Sequence, residues 1–295
     1  PLPPFEIKGQ RTPDYGQDRL DAIAQSGINL IIGTHTNYAG EGEATRLLEM
    51  AGNAGIVSTI RANSLINIFA DHVATAEEMA LTLKTLMQYP GFAGLYCLDE
   101  PKGNLFPAIS RANETFKQAL EIINDDTKFL QELGISSAES MLYLNLGGGP
   151  NAGDYSGTGD FTYTYEEFID DFLDTKPQYL MFDRYPLVAK EGAVSELWFV
   201  NISIIRSKAE QASLPWWGFT QATGHYNGIT NLCRIPTEGE FLWGMNSMLA
   251  YGAKGIGHFH LTFPPEWTAQ EDYSTTGMFD PFGKKNKFYY FVKKG

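Results

Sequence analysis

Apolar residues along the chain alternate between two rhythms. Short continuous runs, at 29–33, 55–60, 91–98, 141–146, 179–183, 215–220 and 255–261, read as buried strands. Between them, apolar positions recur every third or fourth residue at 17–26, 41–54, 75–88, 106–133, 165–173, 193–212 and 238–251, which reads as amphipathic helices. In 75–88, Met79, Leu83 and Met87 repeat along one face while Glu77, Glu78 and Lys84 take the other. A break is expected near Asp125 and Asp126, a short strand at 5–9, and a last helix from 288. About eight strands alternating with about eight helices predict an α/β fold, a (β/α)8 TIM barrel. The barrel is expected as one domain over 1–295, trimmed at one or both ends from a longer chain. A doubly wound sheet would place a glycine-rich phosphate loop after its first strand. The run Gly147-Gly148-Gly149, followed by Pro150, lacks that order and context and reads as a loop.

Charge narrows the function. The chain of 295 residues carries 22 Lys and Arg against 35 Asp and Glu, a net charge of -13. Such a surface repels phosphate backbones and anionic lipid, so nucleic acid is not an expected partner. No apolar run reaches the roughly 18 residues of a membrane span. Two cysteines, Cys97 and Cys233, exclude a disulfide framework or a cysteine-rich metal site. No motif calls for a cofactor or a metal. Aromatic residues make up 13% of the chain, which suits stacking on flat apolar faces such as those of neutral sugars.

In a barrel the chemistry gathers where strands end. The expected strand ends carry His35 and Asn37, Arg61, Asp99 and Glu100, Asn145, Asp183 and Tyr185, Gln221, and His258 with His260. The strand bodies are apolar, so this enrichment is one-sided. The sharpest segment is Leu98-Asp99-Glu100-Pro101. Alternation sends Asp99 and Glu100 to opposite sides, and Pro101 is expected to hold Glu100 extended. A carboxyl fixed between apolar walls has a raised pKa and suits a general acid.

This Asp-Glu-Pro, at the end of the fourth expected strand, resembles the Asn-Glu-Pro signature of the clan-A (β/α)8 glycoside hydrolases. The segments 217–221, 234–240 and 249–256 are similar to uncharacterised glycosidase-like barrel proteins of gut Bacteroidetes. The resemblance implies hydrolysis of a glycosidic bond in a poly- or oligosaccharide, with Glu100 as acid/base. It also implies retention, through a second carboxylate about 5–5.5 Å away, and a secreted or periplasmic location. Two residues depart from the pattern. Asp99 stands where an Asn is usual, and Gln221 stands where strand seven should end in a nucleophilic Glu. Asp183, held before Arg184-Tyr185-Pro186, is the expected second carboxylate, with Glu266 next.

Trp217, Tyr185 and Trp267 are candidates to stack on sugar rings, although only one of the adjacent Trp216 and Trp217 can face inward. His35, Asn37, Arg61, Asp99, Asn145, Gln221, His225, His258, His260 and Glu266 are candidates to bond sugar hydroxyls. Glu238 and Glu240 are accounted for by capping a helix. Two other classes remain open. Gln221 favours a carbohydrate-binding barrel that cleaves nothing. His258-Phe259-His260 offers a metal-dependent hydrolase, because two histidines at spacing two on a strand point the same way.

Overall fold

The computed structural model describes residues 6–7, 10–11, 16–37, 42–149, 154–188, 194–226, 231–261, 277–279 and 284–295. The chain opens with β1 (Glu6–Ile7) and β2 (Gln10–Arg11), then α1 (Gly16–Gln25), β3 (Leu30–Asn37), α2 (Glu43–Asn53) and β4 (Val57–Arg61). The small strands β5 (Ile66–Asn67) and β6 (His72–Val73) precede α3 (Ala76–Leu86) and β7 (Phe92–Asp99). Next come α4 (Phe106–Asp125), α5 (Thr127–Leu133), β8 (Met141–Asn145), α6 (Tyr165–Asp174) and β9 (Leu180–Phe182). They are followed by α7 (Leu197–Ala212), β10 (Trp216–Gln221), β11 (His225–Tyr226), β12 (Asn231–Cys233), α8 (Glu238–Ala250), β13 (Gly255–Phe259) and α9 (Lys287–Lys294).

Strands β3, β4, β7 and β8 form one parallel sheet, and β9, β10 and β13 another. A parallel bridge between Leu146 and Phe182 joins the two. There Leu146 N donates to Met181 O at 2.8 Å, and Asp183 N donates to Leu146 O at 3.0 Å. Seven parallel strands thus follow one another, with a helix crossing over between most neighbours, as parallel pairing demands. The segment expected as the first of eight behaves differently: Glu6 and Ile7 pair antiparallel with Arg11 and Gln10. A complete eight-stranded ring is therefore not present among the described residues. Among them, too, no helix is long and apolar enough to cross a membrane.

Side-chain alternation splits the strands between two apolar layers. Leu95, Leu142, Leu144, Leu180, Phe182 and Trp216 face the helices and pack with Leu83, Ile109, Phe116, Phe168 and Ile202. The opposite faces carry Tyr96, Tyr143, Tyr179 and Met181, flanked by Ile32, Met141, Trp217 and Phe219. Trp217 stacks on Tyr179 at 5.4 Å and Tyr96 on Tyr143 at 5.2 Å. This inner layer is a packed floor, which leaves the chemistry to the C-terminal strand ends above it.

Helices α3, α6 and α8 start with the same device, a capping box in which Thr75, Thr164 or Thr237 exchanges hydrogen bonds with Glu78, Glu167 or Glu240. Each cap satisfies free N–H groups and contributes about 1 kcal/mol. Glu240 also takes both terminal nitrogens of Arg234, at 2.7 and 2.6 Å, and those bonds hold its carboxyl down at about 2. Cys97 and Cys233 are free thiols.

Candidate active site

Three neighbouring strand ends bring the carboxyl groups together. Asp99 and Asn145 are register partners on β7 and β8. Asn145 Nδ2 donates to Asp99 Oδ1 at 2.8 Å. One residue further on, Glu100 N donates to Asn145 O at 2.8 Å, so the ladder continues through the catalytic candidate. Glu100 is not extended before Pro101 as expected; it sits at φ 46 in the left-handed region. That conformation costs a non-glycine residue roughly 1–2 kcal/mol. It also breaks the strand alternation, so Asp99 and Glu100 do not part to opposite sides. Both carboxyls face the same cluster.

Gly147 makes room for this turn. A Cβ on Gly147 would lie 2.5 Å from the Glu100 carboxyl carbon and Oε1, and 2.6 Å from its Cγ. Opposite, at the end of β9, Asp183 comes within hydrogen-bonding contact of Glu100 and accepts a bond from the Tyr185 hydroxyl. Burial, then the charges of Glu100 and Asp99, push the Asp183 carboxyl well above its ordinary range, against the opposing Tyr185 bond. Asp99 is open to solvent on one side but crowded on the other. Its crowding raises its carboxyl, while the Asn145 bond lowers it. Two acidic groups in contact cannot both ionise freely, and burial makes Asp183 the one held toward its acid form.

The floor beneath belongs to the same electrostatic unit. Burial, with Asp99 adding to it, pushes the Tyr96 hydroxyl to about 12, and Arg61 opposes the shift. Arg61 bonds that hydroxyl and lies over the ring, its Cζ 4.7 Å from the centroid. Tyr143 is likewise raised by burial and then by Asp99. Neither tyrosine was a sequence candidate. Strand alternation from Asn145 would have found Tyr143, whereas the bulge between Tyr96 and Leu98 hides Tyr96 from the same count made from Asp99.

The other sequence candidates fall out in several ways. Gln221, 4% exposed, spends its whole amide on backbone. Its Oε1 accepts from Leu187 N at 3.0 Å, and its Nε2 donates to Arg234 O at 2.7 Å and Thr223 O at 3.2 Å. It brackets two loops and has no group left for a sugar. Trp217 lies at the start of β10, about 13 Å of strand below Gln221. It belongs to the floor, not the mouth, and Trp216 faces the helices.

His258 points outward. Its ring packs 5.3 Å from Phe241 of α8, and its Nδ1 pairs with Thr220 Oγ1 at 2.6 Å. Burial lowers it to about 4, which keeps the ring neutral. A shared metal site with His260 loses its basis, because His258 faces the helical layer. Among the described residues no three His, Cys, Asp or Glu side chains converge as metal ligands. His260 lies edge-on to Phe259, whose ring is 5.7 Å from Tyr185. His35 and Asn37 are placed by backbone on β3, and His225 by backbone on β11. Glu266 and Trp267 lie outside the described residues.

The loop after β8 is tied to the segment after Glu100. Gly103 N donates to Tyr155 O and Asn104 N to Ser156 O, both at 2.8 Å. The Tyr155 hydroxyl reaches back to Gly149 O.

No protein-family model matches the chain, and no curated protein sequence does. Solved structures do share its fold. The β-galactosidase of the psychrophilic Marinomonas ef1 aligns with a TM-score of 0.56 at 11% identity, over 96% of this chain and 57% of that one. The β-galactosidase of the Antarctic haloarchaeon Halorubrum lacusprofundi aligns at 0.54 and 12% identity, over 95% and 56%. A family 39 glycoside hydrolase from the gut symbiont Bacteroides cellulosilyticus WH2 aligns at 0.52 and 13% identity, over 95% and 60%. This chain thus spans less than two thirds of the length of each. The chain shares its fold with these glycoside hydrolases.

Proposed function

We propose that the protein hydrolyses a glycosidic bond, with Glu100 and Asp183 as the reacting pair. The observation that carries this reading is their contact across the end of β8, with one carboxyl buried and held toward its acid form. The stored proton passes from Asp183 along the shared hydrogen bond to Glu100, the member open to solvent. Glu100 delivers it to the leaving oxygen as the bond to the anomeric carbon breaks. Asp183, now ionised, bonds to that carbon. Water, deprotonated by Glu100, then releases the sugar and returns the proton to the pair. A pair this close leaves no room for the water that inverting enzymes place between carboxyls roughly 6.5–9.5 Å apart, which favours retention. Tyr185 orients Asp183, and Asn145 orients Asp99. A glycan substrate fits a secreted or periplasmic setting.

The test is reducing-end release from a panel of polysaccharides and aryl glycosides. Wild type should cleave a member of the panel. Glu100→Gln and Asp183→Asn should each lose at least about 100-fold. Cleavage that survives both substitutions overturns the assignment. Binding without cleavage would favour a non-catalytic carbohydrate-binding barrel, the reading supported by Gln221 at the seventh-strand position.

A further inference from the structure

We propose that Tyr155 is a positioning residue for Glu100, clamping the chain on both sides of that carboxyl. The inference rests on the glycosidase reading and adds to its machinery a side chain that touches no reacting atom. Glu100 is exposed, and its carboxyl rests against Gly147, where a Cβ would fall 2.5 Å away. Gly147, Gly148 and Gly149 have no side chains to pack, and Gly148 and Gly149 stand at φ 90 and 147. Glycine loses more backbone freedom on folding than any other residue. A wall built of three of them holds Glu100 only if the wall is itself held at its ends.

One end is the sheet, where Leu146 bonds Met181 O and Asp183 N. The other end is Tyr155, whose hydroxyl donates to Gly149 O. Among the described residues no other hydrogen bond reaches the backbone of 147–149. The same tyrosine holds the opposite shoulder of Glu100. Its carbonyl accepts from Gly103 N at 2.8 Å, three residues past Glu100, and Ser156 O beside it accepts from Asn104 N at 2.8 Å. Pro101, with its fixed φ, stiffens the short link between. Tyr155 can bear on both sides because it is anchored. It is 5% exposed, and its ring lies 5.4 Å from Tyr165 and 5.3 Å from Phe168 of α6. Phe168 belongs to the large core behind the sheet. The clamp thus runs from the helical layer, through one side chain, to the glycine wall and to the segment after Glu100. The ring and the carbonyl could be supplied by phenylalanine. The hydroxyl could not, and it is spent on the wall against which Glu100 rests.

Tyr155→Phe keeps the ring and the Gly103 bond and removes only the hold on Gly149. The wall should loosen, and Glu100 should spend less time against Asp183. Carbon-detected NMR titration should then show the Asp183 carboxyl moving down toward its ordinary range, since the charge and hydrogen bond of Glu100 raise it. On a substrate that wild type cleaves, kcat should fall about tenfold with KM changed by less than about twofold, the mark of a group misplaced by a fraction of an ångström. The control is Asn113→Ala. Asn113 Nδ2 bonds Thr175 O and Oγ1 at the far end of α6, so its loss destabilises the protein without reaching the glycine wall. It should leave the Asp183 titration where it was. An Asp183 carboxyl unmoved in Tyr155→Phe overturns the inference. So does an equal movement in Asn113→Ala, which would mark general loosening. The titration needs no substrate, so the two readings fail separately. Cleavage of no glycan by wild type, with the Asp183 shift present, overturns the glycosidase reading and leaves the clamp on Glu100 supported.

Discussion

Gly147→Ala should separate the proposed reacting pair while leaving both residues in the sequence. The added methyl would sit 2.5 Å from the Glu100 carboxyl carbon and Oε1. Carbon atoms in contact keep about 3.5–4.0 Å, so the carboxyl must withdraw by roughly 1 Å. The backbone at Gly147 is not in the left-handed region, so alanine adds no torsional strain. Glu100 is exposed and can swing aside, which limits the stability cost to about 1 kcal/mol. The hydrogen bond to Asp183 does not survive such a shift, and a misplacement of 1 Å at a reacting group costs about 100-fold in rate. Two measurements check this. Turnover of any substrate found in the panel should fall about 100-fold with little change in melting temperature. Carbon-detected NMR titration should show the Asp183 carboxyl moving down toward its ordinary range, because the charge and hydrogen bond of Glu100 both raise it. It should stay above that range, because burial is the larger cause. Full activity in Gly147→Ala, with an unmoved Asp183, would refute the close packing of these groups.

Other substitutions test the surrounding structure. Asp183→Asn should abolish activity while raising stability at pH 7 by about 1 kcal/mol or more. The folded wild type holds a proton that the unfolded chain gives up, so its stability declines as pH rises through the raised Asp183 value, and denaturant titrations of the two proteins should diverge there. Gln221→Leu should cost about 2–4 kcal/mol by urea unfolding, since Leu187 N and Arg234 O lose their partner in a buried setting. Gln221→Glu should not create a nucleophile, because three carbonyl oxygens face that position. His258 gives a pH test. Its folded value is about 4 against 6.5 in the unfolded chain, so its stabilising effect is complete above pH 6.5 and is lost as pH falls through 4. The loss is on the order of 3 kcal/mol. His258→Gln should flatten that part of the stability profile.

The alternation of apolar runs carried the layout of the chain closely. The strand expected at 91–98 occupies Phe92–Asp99, and the helix at 238–251 occupies Glu238–Ala250. The break near Asp125 and Asp126 falls where Asp126 caps α5 through its side chain. These features depend on neighbours in sequence, which is why they are legible there. The site was legible as a set of strand ends but not as geometry. A bulge between Tyr96 and Leu98, and then the left-handed Glu100, undo the period-two rule exactly where the carboxyls emerge. Nothing local encodes either one, because the space for Glu100 comes from Gly147, just past the end of β8. Gln221 misled for a related reason. A polar residue at a strand end reads as an offer to a ligand, and only the fold reveals that Leu187, Thr223 and Arg234 have already taken it. Asn113 and Asn201, which match glycosylation patterns, are buried and bonded to Thr175 and Tyr165.

The left-handed backbone at Glu100 bears on how related sequences can be read. Its torsional penalty acts on every copy of the protein, whether or not a substrate ever arrives. Glycine or asparagine would occupy that position with less strain. A lineage that no longer used the carboxyl would therefore be drawn toward those residues by stability alone, and a lineage that still used it would be held against that pull. The amino acid preceding Pro101 thus works as a natural reporter, sorting descendants of this fold into those that kept their chemistry and those that let it go.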